Sequence, residues 1–87
     1  MTGGVHIRPG QNIVINGIDV QRCVEAAIII AQSIAGGGRY YGDGDEHHVA
    51  AAGGKLLAEL KRKGYSRDIC RDALWAKIID EAQRVKA

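Results

Sequence analysis

Apolar side chains recur at helical spacing through three stretches of this chain, and at alternating spacing through a short stretch before them. In the first helical stretch Val20, Cys23, Val24, Ala27, Ile28, Ala31, Ile34 and Ala35 share one face at 3.6 residues per turn, while Gln21, Arg22, Glu25, Gln32 and Ser33 occupy the other. Asp19 stands where an N-cap accepts from the first free amides, and Gly36 to Gly38 suit a left-handed C-cap. The pattern predicts a helix over about 19–36. Ile29 breaks it by projecting about 180° from the stripe centre. In so small a chain that second apolar side points to a partner subunit.

The second helix is predicted over about 45–63, with Asp45 as N-cap, Glu46 in the first turn and Gly64 as the stop. Val49, Ala52, Leu56, Leu57 and Leu60 form its stripe. Gly53-Gly54 falls in the middle, at a propensity cost of about 1 kcal/mol per glycine relative to alanine. A second backbone crossing closely there explains the pair better than a break, because Gly53 lies on the stripe. The third helix is predicted over about 66–86, with Ser66 as N-cap, Asp68 in the first turn and Tyr65 stapled to Cys70. Cys70, Leu74, Trp75, Ile78, Ile79, Ala82 and Val85 make its broad apolar band.

Ahead of the helices, Val5 and Ile7 alternate with His6 and Arg8, Pro9-Gly10 suits a type II turn, and Asn12–Ile15 returns as a second strand. Asn16-Gly17 is a further turn signal. The expected fold is therefore mainly α (α+β): an N-terminal β-hairpin over about 5–16 followed by three α-helices, in one small domain spanning 1–87.

Composition adds a reason to expect association. A chain of 87 residues buries roughly 60–65% of its unfolded surface. Its core material is thin, with no Phe, one Trp, three Tyr and an apolar fraction rich in Ala. A second copy covering apolar surface, Ile29 included, would supply the missing burial, so a homo-oligomer is expected. Twelve Lys and Arg against ten Asp and Glu give +2, too balanced to draw the chain to nucleic acid or to a membrane surface. The apolar run Ala26–Ala31 is far short of the ~20 residues that cross a bilayer. Residues 1–10 hold no apolar core of a signal peptide, so a cytoplasmic setting is expected. Cys23 and Cys70 both fall on apolar stripes and read as buried free thiols.

Candidate chemistry concentrates in the glycine-rich stretch after the first helix. Arg39, Tyr40, Tyr41, Gly42, Asp43, Gly44, Asp45, His47 and His48 offer a charged fork, two stacking rings and exposed amides at a helix N-terminus. Those parts suit an anionic, nucleotide-like small molecule. As a metal site the stretch fits poorly. Counted from Asp43, its sixth and twelfth residues are His48 and Gly54, not the Gly and Glu of a calcium loop. Adjacent His47 and His48 point about 100° apart on a helix, unlike the paired imidazoles of a zinc-protease motif. No metal and no cofactor is assigned, although Asp43 or Asp45 with one His could share an ion across subunits.

The run Lys61, Arg62, Lys63 and Arg67 reads as a solvated helix end or as a docking turn. Ser33 and Ser66 have no base beside them, and no catalytic set emerges. The leading expectation is a small oligomeric binding protein that captures an anionic ligand as sensor or sequestering protein. An inhibitor or adaptor docking on a larger protein through the exposed hairpin or the basic Lys61–Arg67 turn comes second. A metal-dependent small enzyme comes third.

Overall fold

Asn16 and Gly17, both with positive φ (51° and 81°), form the two-residue turn that matches strand twist in tight hairpins. A computed structural model describes residues 13–38 and 44–85. Strand β1 (Val14–Ile15) pairs antiparallel with β2 (Ile18–Asp19), Val14 opposite Asp19 and Ile15 opposite Ile18. The hairpin thus turns at the second of the two signals, and the Val5–Ile7 strand and Pro9-Gly10 turn fall outside the described residues. Helices α1 (Val20–Ala35), α2 (Asp45–Arg62) and α3 (Arg67–Val85) follow.

The helix ends follow local chemistry with one exception. Asp19 caps α1, its carboxylate accepting from the Arg22 amide at 3.1 Å. Ser66 Oγ accepts from the Ile69 amide at 3.4 Å ahead of α3. The expected cap of α2 is corrected: Gly44, not Asp45, is the N-cap, and it makes no side-chain capping bond. Asp45 is instead the first helical residue, where its charge still favours the positive end of the dipole. Both α1 and α2 close in the same way. Gly37 and Gly64 take positive φ, and the next amides, of Gly38 and Tyr65, reach back to the carbonyls of Ser33 (2.8 Å) and Leu60 (3.2 Å). These are Schellman closures, and they occupy carbonyls a helix end otherwise leaves free.

The hairpin in turn closes α3. The Asn16 side-chain amide donates to the carbonyls of Ala82 (3.1 Å) and Gln83 (3.2 Å) in the last turn, where helix acceptors begin to run out of amide partners.

Packing sets the directions of the helices. Cys23, near the start of α1, donates its thiol to the Glu46 carbonyl at the start of α2 (3.5 Å). Further along, Gly54 lies against Ile30 and the Ala27 carbonyl. The two helices therefore run the same way. Helix α3 returns antiparallel to α2, bringing Leu74 and Ile78 onto Gly53 and Glu81 opposite His48. The Gly53-Gly54 pair is a close crossing on two sides, Gly53 toward α3 and Gly54 toward α1. The core is built from Ile18, Val20, Ala27, Ile30, Val49, Ala50, Leu74, Ile78 and Ala82, with Trp75 at its margin.

The expected stripes need two corrections. Ile28 and Ile34, placed on the buried face of α1, are 40% and 38% exposed, and Ala35 is exposed as well. Ile28 lies at the edge of the stripe. Ile34 and Ala35, at the C-terminal end of α1, face an open groove beside α2. On α2 the buried face is Val49, Ala50, Gly53, Gly54 and Leu57, with Ala52, Leu56 and Leu60 half-buried beside it.

Candidate functional site

Five of the expected ligand residues, Arg39, Tyr40, Tyr41, Gly42 and Asp43, lie outside the described residues. Gly44, Asp45, His47 and His48 are exposed at the start of α2. His48 looks across to α3, its Nε2 standing 4.0 Å from Glu81 Oε2. The basic run Lys61, Arg62, Lys63 and Arg67 is wholly exposed around the α2–α3 turn.

The uncovered end of α1 leaves a groove of about 710 Å³ between the C-terminal halves of α1 and α2. Ala31, Ile34 and Ala35 from one helix and Ala58 from the other supply its apolar lining, and Lys55, Lys61 and Arg62 stand at its edge. Glu59 also lines it, but its carboxylate is taken by Lys63 Nζ at 3.0 Å. That hydrogen bond, with the Lys63 charge, holds the Glu59 carboxyl below its usual pKa. Among the described residues Lys55, Lys61 and Arg62 enter no ion pair. The Schellman bonds occupy carbonyls at both flanking helix ends, and three cations stand in the lining against the single carboxylate of Glu59.

Comparison with protein-family models, curated proteins and solved structures finds no match to this chain. Its geometry alone must carry a functional reading.

On the other side of α2, a shallower depression of about 430 Å³ is lined by His48, Ala51, Ala52, Leu56 and Lys77, and it shares Lys55 and Glu59 with the groove. Glu81 contacts two of its lining residues, His48 and Lys77, and is absent from every expectation drawn from sequence. Among the described residues it is the charged side chain that is buried, at 9% exposure. Lys77 Nζ (3.1 Å) and Arg84 (3.0 Å) both reach its Oε1. The signal was present, since position 81 falls on the apolar band with cations at i−4 and i+3.

The Lys77 hydrogen bond is the largest influence lowering the Glu81 pKa; burial opposes it, and the charges of Lys77, Arg84 and His48 assist. A carboxyl whose pKa is depressed on folding adds stability above its unfolded pKa and loses it as pH falls through the folded value. Glu81→Gln is therefore expected to lower stability at pH 7 modestly, by about 1 kcal/mol or less given the solvent around its partners. The gap from wild type should close toward pH 3 in chemical denaturation; a gap that persists in acid would contradict this account.

The thiols offer no nucleophile. Cys23 is buried and its pKa is pushed up to about 11, chiefly by burial and then by the Glu46 and Asp19 charges. Cys70 is buried too, its Sγ 3.8 Å from the Tyr65 carbonyl. Among the described residues, no group of three or more His, Cys, Asp and Glu is placed to hold a metal ion.

Proposed function

We propose that this protein is a small binding module that captures an anionic ligand in the groove between α1 and α2. One observation carries the reading: an apolar lining is bordered by three cations, Lys55, Lys61 and Arg62, that enter no ion pair among the described residues. An apolar part of the ligand rests on Ala31, Ile34 and Ala58 while its charges meet the edge. Arg39, Tyr40 and Tyr41 follow in sequence only a few positions after Ala35, itself part of the groove wall. This supports a shared role with the sequence-expected site for a nucleotide-like ligand. Self-association through Ile28 and Ile29, which are 40% and 64% exposed, belongs to the same reading. So does a cytoplasmic setting, which keeps the two free thiols reduced.

The test is a melting series with three polyanions: a nucleoside triphosphate, tripolyphosphate and poly-glutamate. At least one should raise the melting temperature of the wild type and of Arg67→Ala, whose side chain lies outside the groove lining. The doubly substituted Lys61→Ala, Arg62→Ala protein, with unchanged far-ultraviolet dichroism, should lose the shift. If no polyanion moves the transition, or the double variant responds equally, the groove is not an anion site. Ultracentrifugation of the same samples should show more than one chain per particle, and a monomer would remove self-association from the reading.

A further inference from the structure

Resting on that anion-binding reading, we infer that the groove is shaped for an acidic amphipathic helix of a partner protein. Three features favour a helix over a small molecule. The groove is a trough between two helices and is not enclosed, whereas small ligands are held in clefts that bury about 70–90% of their surface. Its cations are also spread along it. Lys55 and Arg62 are seven positions apart on α2, about 10 Å at the helical rise, so a single phosphate would meet only one end. Acidic side chains seven positions apart on a helix lying along α2 repeat at the same distance.

The lining is the third feature. Ala31 and Ala35 stand one turn apart on α1, with Ala58 facing them from α2. Small side chains let a third helix approach closely, and Ile34, 38% exposed, offers an apolar edge for its leucines. Recognition of this kind places an amphipathic helix in a groove, with apolar anchors at i, i+3, i+4 and i+7. The partner is read by charge at Lys55, Lys61 and Arg62 and by close apolar contact beneath them.

The experiment is a charge swap. The probe is a fluorescent three-heptad Leu/Ala helix with one Glu in each heptad, and its twin carries Lys at those positions. Fluorescence anisotropy should show the Glu helix binding wild type at least about tenfold more tightly than the Lys helix, with the advantage shrinking as salt rises. Reversing Lys55, Lys61 and Arg62 to Glu should exchange the preference, and that gain of Lys-helix binding shows the variant is folded. Equal binding of both helices to wild type, or no exchange in the reversed variant, overturns the inference. If the nucleoside triphosphate shifts melting through Lys61 and Arg62 while the Glu helix does not bind, the anion site stands and the helical partner falls. If neither ligand engages the groove, both fall.

Discussion

Gly54→Ala is expected to destabilise the fold by about 1–3 kcal/mol, although alanine is the better helix former by about 1 kcal/mol. A methyl group at position 54 would stand 2.6 Å from Ile30 Cγ2, 2.8 Å from Ile30 Cβ and 3.1 Å from the Ala27 carbonyl oxygen. A Cβ and a backbone carbonyl cannot rotate away, so α1 and α2 would have to separate. Gly53→Ala is the control. Its methyl would meet Ile78 Cδ1 at 2.5 Å and Leu74 Cδ1 at 3.0 Å, the far ends of flexible side chains. Its cost should be smaller, with the propensity gain offsetting part of it. Urea titration of the two variants decides the order. Gly54→Ala equal to wild type or more stable would mean the helices do not cross at that closeness.

Ile78→Ala should cost about 2–5 kcal/mol, from lost burial and the cavity left behind. Ile78 is fully buried, at 0% exposure, where α3 crosses Gly53. Glycine contributes no side chain to fill the gap, so the site has little material with which to collapse. Natural domains have only about 5–15 kcal/mol in all, and a chain with so few large apolar residues has little to spare. The expected outcome is a domain near its unfolding midpoint at room temperature. Ile78→Val should lose only about 0.5–1.5 kcal/mol. Adding Gly53→Ala to Ile78→Ala should cost less than the sum, because the new methyl no longer meets Cδ1. Strict additivity in denaturant titrations would place the two residues apart.

Much of the fold was legible one element at a time. The stripe Val20, Cys23, Val24, Ala27 and Ala31 is buried as its spacing implies, and so are Cys70, Leu74, Trp75, Ile78 and Ala82. Asp19, Gly37 and Gly64 act within a few residues of themselves, so the local chain was enough to read them. The glycine pair 53–54 was legible as a crossing, but only Gly53 had a visible target. Gly54 serves a different neighbour, and periodicity within one helix does not show how many helices pack around it.

The site was much less legible. The exposed end of the α1 stripe at Ile34 and Ala35 looks in sequence like any buried stripe. It becomes a groove wall only because α2 lies alongside α1 in the same direction and leaves that end open. Lys61 and Arg62 read as an ordinary helix terminus until Ala58 and Ala35 are set beside them. The Lys77 and Arg84 contacts of Glu81 are set by spacing within α3, and only His48, 4.0 Å away, was brought to it by the return of α3 along α2.

What the residues determined unaided were interactions closed within a turn or two: three amphipathic helices, their stops, the Asn16-Gly17 turn and the burial of both thiols. The tertiary arrangement alone decided that α1 and α2 run the same way, that the hairpin caps α3, and that three cations gather along one apolar trough. The reason is physical. Propensity, capping and periodicity act over a few residues, whereas helix direction depends on contacts between distant parts of the chain, here Cys23 beside Glu46 and Gly54 against Ala27 and Ile30.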